Sequence, residues 1–234
     1  MKKFSLISAL CLAFASSTVA STISLTDGGA AGNKFVSSTG QTLTSARIMV
    51  GYIEGFSTAD TTLMGKLTSG RLEDVLSVFV PLGESFTRGQ TSYQIGNTST
   101  ITYNTSTGLV SGNVGGVSPL TGTANSFQGS NGVVAGTRLF VLALNQTSLT
   151  SLENTQFALV SADPTVTSAW SMPSSNLTNR SLVTTAVDVT SGGGIEYFYG
   201  TKGSIQLQPV AVPEPSLFAI LAIGLALGLR RKKS

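Results

Sequence analysis

Between Ser21 and about Pro209 the chain alternates short runs of β-branched and aromatic residues with Ser/Thr/Gly-rich stretches. That rhythm predicts many short strands rather than a helical bundle. The clearest strands are expected over Ala46–Ile53, Thr137–Leu144, Gln156–Ala162 and Ser204–Gln208. Arg138-Leu-Phe-Val-Leu-Ala-Leu144 is apolar on both faces and reads as a central strand, whereas Thr22-Ile-Ser-Leu-Thr26 alternates and reads as a strand with one wet face. Turns are expected at Asp27-Gly28, Gly115-Gly116, Asn131-Gly132, Asp163-Pro164 and Gly192-Gly193-Gly194.

One stretch changes period. Ser57-x-x-Asp60 has the form of a capping box ahead of Leu63, Met64 and Leu67, and Leu72, Val75, Leu76 and Phe79 recur at helical spacing. Two short helices are expected there, closed by Pro81-Leu82-Gly83. The fold class that follows is mostly β, a single jelly-roll-like β-sandwich with a short two-helix insert.

The two ends follow a different pattern. Lys2 and Lys3 precede the apolar run Phe4–Ala15, and Thr18 and Ala20 supply small residues before Ser21. This is the form of a signal peptide over residues 1–20, with signal peptidase expected to cut between Ala20 and Ser21. Near the other end, Pro213, Glu214 and Pro215 precede the apolar run Leu217–Leu229, which is followed by Arg230, Arg231, Lys232 and Lys233. As a helix of about 1.5 Å per residue that run reaches roughly 20 Å, short of a hydrocarbon core of about 30 Å unless the basic side chains snorkel. A transmembrane helix of this kind leaves the four basic residues cytoplasmic and the body on the far side.

Pro-Glu-Pro, a short apolar segment and a basic cluster, in that order, resemble the PEP-CTERM sorting tail, here residues 210–234 with its motif at 213–215. The resemblance implies that the chain is a substrate of an exosortase, an integral-membrane cysteine protease or transpeptidase that cuts near the motif. It implies passage through the inner membrane, where the tail sits transiently, and then a place at the cell surface or in the medium. Two prolines fix φ and remove two N–H donors, so a helix starting at Leu217 cannot grow upstream through the motif. The body, residues 21–209, is loosely similar to bodies carried by such proteins, through Arg47–Ile53, the helical pair, Gly136–Val141 and Trp170 with Pro173.

Charge and composition narrow the chemistry. The formal charge of +3 comes from the ends, because the stretch from Ser21 to Val212 carries eight basic and ten acidic residues. A weakly acidic body has no footprint for nucleic acid. Histidine is absent and the single cysteine, Cys11, lies in the segment expected to be removed. Imidazole-based catalysis, thiol chemistry and His/Cys metal sites are therefore excluded from the body.

No catalytic residue, metal site or cofactor is nominated. Glu73-Asp74 reads as a solvated helix face, and the glycine runs Gly108–Gly116 and Gly192–Gly194 read as flexible loops rather than phosphate cradles. Trp170, Tyr197, Phe198 and Tyr199 have two readings, sugar-stacking platform or core. Asn97, Asn104, Asn145, Asn176 and Asn179 each begin an Asn-x-Ser/Thr sequon. The expected function is a non-enzymatic structural or adhesive component of a biofilm or exopolysaccharide matrix. The alternatives are an extracellular carbohydrate-binding module that contacts polysaccharide and a carboxylate-based hydrolase.

Overall fold

The computed structural model describes residues 20–26, 34–148, 154–162, 170–176, 178–184, 195–201 and 204–211. Residues 1–19 of the expected signal peptide, the turns expected at Asp27-Gly28, Asp163-Pro164 and Gly192–Gly194, and the whole of the Pro213–Lys233 tail with its apolar run lie outside the described residues.

The centre is a sheet of six strands. β3 (Arg47–Ile53) pairs antiparallel with β4 (Phe79–Pro81) on one side and β11 (Phe140–Leu144) on the other. β12 (Gln156–Ala162) pairs with β11 along its length. Its outer edge is shared by β14 (Ile195–Tyr199), on Leu159–Ala162, and β16 (Gln208–Pro209), on Gln156 and Phe157. Every residue of β11 is buried, as expected for a strand apolar on both faces.

A second sheet has the order β13 (Arg180–Val183), β1 (Ser21–Thr26), β8 (Val110–Val117), β7 (Thr102–Tyr103). β1 alternates buried and half-buried positions, placing Ile23 and Leu25 inward. These two join Val110, Val114 and Val117 of β8 in one apolar cluster with Ile48, Val50 and Tyr52 of β3 and Val141 and Ala143 of β11. Two sheets thus share one core, a layering compatible with the expected sandwich.

The opposite face of the six-stranded sheet carries Met49, Ile53, Phe140, Leu142, Leu144, Phe157 and Leu159, too apolar to meet water. The insert covers it. α1 (Thr61–Thr68) contributes Leu63 and Leu67, and α2 (Leu72–Val78) contributes Leu72 and Val75. Removing one such side chain, for example Phe140→Ala, costs about 3–5 kcal/mol.

Several local expectations are corrected. The α1 cap is Asp60 itself, whose Oδ1 accepts from Thr62 N and Leu63 N, both at 3.0 Å. Ser57 lies too far upstream and caps only its own turn, through Ala59 N. α2 ends at Val78, since Phe79 is already extended and starts β4, while its ring still packs with the helices. Gly115-Gly116 lies inside β8 as a bulge: Ser21 faces Val117 while Ile23 faces Val114, so β8 carries one extra residue there. Gly116, at φ +69, supplies the positive φ and lets both Val114 and Val117 reach the core. Ser204–Gln208 is two strands, β15 (Ile205–Gln206), parallel to β2 (Phe35–Val36), and then β16.

Candidate functional site

The described chain ends in a clamp. β16 lies on β12, and the next two amides are also taken: Val210 N donates to Thr155 O at 3.0 Å and Ala211 N to Gly70 O at 2.7 Å. Gly70 sits at φ +76 between α1 and α2, and a Cβ there would meet the Tyr199 ring at 2.9 Å. That ring stacks on Phe157 with centroids 4.3 Å apart, and its hydroxyl donates to Pro209 O at 2.6 Å. Burial pushes the Tyr199 pKa up, so the hydroxyl stays a donor across neutral pH. Pro213, Glu214, Pro215, Arg230, Arg231, Lys232 and Lys233 lie beyond this clamp, outside the described residues.

At the other end Ser21 opens β1. It is buried opposite Val117, its Oγ donating to Ser175 O at 3.3 Å, and Ala20 is half-buried.

The described carboxylates of the body each have a partner. Among the described residues Glu54 pairs with Arg88, Glu73 and Asp74 with Arg71, Glu84 with Arg47 and Glu196 with Arg138, while Asp60 caps α1. Glu73 and Asp74 are helix-surface groups as expected, and hydrogen bonds from the Glu73 backbone and from Arg71 hold the Glu73 pKa below its ordinary value. Among the described residues no group of three or more His, Cys, Asp or Glu side chains is placed to hold a metal ion.

Among the described residues Arg138 is the buried charge. Its Nε donates to Ser161 Oγ at 2.8 Å and its Nη2 to Glu196 at 2.5 Å, with the rings of Phe56, Phe140 and Phe198 within 5.5 Å of the guanidinium carbon.

The aromatic expectations divide. Trp170 and Phe198 are core residues, 2% and 5% exposed, which removes them as sugar platforms. Tyr197 packs against the sandwich core and Tyr199 belongs to the clamp. An aromatic group that sequence reasoning missed is half-exposed instead. On the hairpin β5 (Ser85–Arg88) and β6 (Thr91–Gln94), Phe86 stacks on Tyr93 at 5.6 Å and both meet Phe127, over which Arg88 lies at 4.5 Å. Period-two alternation along Phe86 and Arg88 was its signal, but nothing local placed Phe127 beside it.

Two hollows flank β7. One, of about 590 Å³, is lined by Thr102, Asn104, Thr105, Thr107 and Ser111 around Tyr103. The other, of about 520 Å³, shares Thr102 and Tyr103 and runs on to Thr147 and the Arg47–Glu84 pair. Tyr103 is fixed there, its hydroxyl donating to Phe35 O at 3.0 Å and accepting from Leu43 N at 2.8 Å. Of the sequon amides, Asn104 accepts from Ser106 N and Thr107 N, Asn145 from Gln156 N, and Asn179 from Thr22 N, so each holds a loop or strand end.

Neither a curated protein nor a solved structure matches the chain. Residues 211–233 match the family model of the PEP-CTERM protein-sorting motif, which therefore begins at the last residue held by the clamp. Among the described residues no helix is long and apolar enough to cross a membrane, and the apolar run Leu217–Leu229 is not among them. A folded β-rich body that hands over directly to that motif is a PEP-CTERM domain-containing protein, an exosortase substrate exported to the cell surface or the medium.

Proposed function

We propose that the exported body is a non-enzymatic structural or adhesive component of the cell surface or of the polysaccharide matrix around it. The observation that carries this reading is the pair of hollows at β7. Hydroxyls and an amide, the groups that exchange hydrogen bonds with sugar hydroxyls, line the first, and the charged groups at the second, Arg47 and Glu84, are paired with each other. The engagement of every described carboxylate supports the same reading over a hydrolase, because general acid–base chemistry needs a carboxyl free to move a proton. Signal peptidase acting between Ala20 and Ser21 fits a fold whose first strand starts at Ser21.

The test is retention of the processed protein on the exopolysaccharide of its own cell. Retention is expected, and Thr105→Ala with Thr107→Ala and Ser111→Ala is expected to weaken it severalfold. Equal retention of the variant refutes the β7 hollows as the contact.

A carbohydrate-binding module that works by ring stacking is the second reading, favoured by the half-exposed Phe86, Tyr93 and Phe127. It predicts instead that Tyr93→Ala abolishes retention while the hydroxyl variant keeps it.

A further inference from the structure

A processing protease takes its substrate as extended chain and reads it by hydrogen-bonding the backbone N–H and C=O groups around the scissile bond. In this fold three of those groups are occupied at the edge of the sorting motif. Pro209 O accepts from Tyr199, Val210 N donates to Thr155 O, and Ala211 N donates to Gly70 O. The matched motif begins at Ala211, and Val212 alone separates that residue from Pro213.

We propose that the Tyr199 clamp is a gate on exosortase processing: the folded body withholds the backbone upstream of Pro213, and the tail is cut from the state in which residues 209–211 have let go. The clamp draws on the α1–α2 turn, β12 and β14 together, so it forms only in a folded body. Folding thereby lengthens the time the protein spends tethered by its tail. With the closed state dominant, the rate of processing is proportional to the released fraction. Loss of one hydrogen bond of ordinary net strength raises that fraction about fivefold.

The experiment follows tail removal by pulse-chase in cells that contain the exosortase, using the full chain with an epitope in the β5–β6 turn. Tyr199→Phe keeps the stack on Phe157 and removes the bond to Pro209 O. It is expected to speed processing about fivefold, with the melting temperature of the released body changed by no more than a few degrees. Inserting Gly-Ser-Gly-Ser between Ala211 and Val212 leaves the body and the clamp intact but supplies free backbone, and is expected to speed processing as well. The two together are expected to be no faster than the insertion alone, a non-additivity that plain damage to the body would not produce. Unchanged or slower processing of Tyr199→Phe overturns the gate, as does a full fivefold effect on top of the insertion. Glu214→Ala with Pro215→Ala serves as the control. If that variant is still cut normally, the fault lies with the sorting motif itself; if it is blocked, a failure of the other variants counts against the clamp alone.

Discussion

Arg138 reaches across β12 to Glu196, passing Ser161 on the way, so that one side chain joins the flank of β11, β12 and β14. The Arg138 side chain is 7% exposed and the Glu196 side chain 43%, so the pair is buried on the arginine side only. The solvated carboxylate reduces what the charge pair itself contributes. Most of the arginine's worth lies in its rings, its bond to Ser161 and the filled space.

Arg138→Ala is expected to destabilise the body by about 3 kcal/mol, through the cavity among Phe56, Phe140 and Phe198 and the lost bonds. Arg138→Met, which fills the space without the charge, is expected to lose less than half of that. Urea unfolding of both variants checks the order. Equal losses would mean that the ion pair, not the packing, carries the effect.

Tyr52 carries the opposite relation between burial and bonding. Its side chain is fully buried, and among the described residues its hydroxyl has no hydrogen-bond partner. Burial first and then Glu54 push its pKa up to about 12, against a small opposing pull from Arg88. The unfolded chain therefore loses the phenolic proton before the folded one does. Stability is expected to be complete below pH 10 and to fall by about 2 kcal/mol as pH rises from 10 towards 12. Tyr52→Phe is expected to be neutral or to stabilise by about 1 kcal/mol at pH 7 and to flatten that alkaline loss. Melting curves at pH 7 and between pH 9 and 12 test both; a steeper alkaline loss in the variant contradicts the assignment.

At Gly51 of β3, opposite Pro81 of β4, there is no room for a side chain. A Cβ there would meet the Val80 carbonyl and, at 2.5 Å, the ring of Phe79. The ring can turn aside but the carbonyl belongs to the ladder, so Gly51→Ala is expected to cost about 2–3 kcal/mol. Adding Phe79→Leu is expected to recover only a minor part. Thermal unfolding of the single and double variants decides, and full recovery would show that the ring alone was in the way.

The exported form is expected to start at Ser21 and to lack residues 217–234. Intact-mass analysis of protein from the medium or the outer surface measures it. A mass that includes Leu217–Ser234 would mean that the tail is kept as a permanent anchor.

How much of this was legible in the sequence depended on range. β12 was read to the residue, β3 to within one residue, and β11 at its end but three residues early at its start, because burial on both faces leaves an apolar run whose last residue is marked and whose first is not. The helix boundary at Phe79 was not, because an apolar residue at helical spacing packs on the same cluster whether it ends a helix or starts a strand. Gly115-Gly116 has the composition of a turn, and only its pairing with β1 shows it to be a bulge. The sorting motif could be read from the chain, since its order is its chemistry. The clamp could not: Gly70, Phe157, Tyr199 and Pro209 are brought together by the sheet, and nothing in their neighbourhoods along the chain announces the meeting.

The pairing of β1 with β13 and of β2 with β15 has a kinetic meaning. Both are parallel contacts between the opening segment and one that emerges some 150 residues or more later. Neither sheet edge can close while the chain is still being threaded through a translocation channel, because the late partner has not yet arrived. The topology thus reserves the closing of these two edges for the moment when their late strands have reached the far side of the membrane.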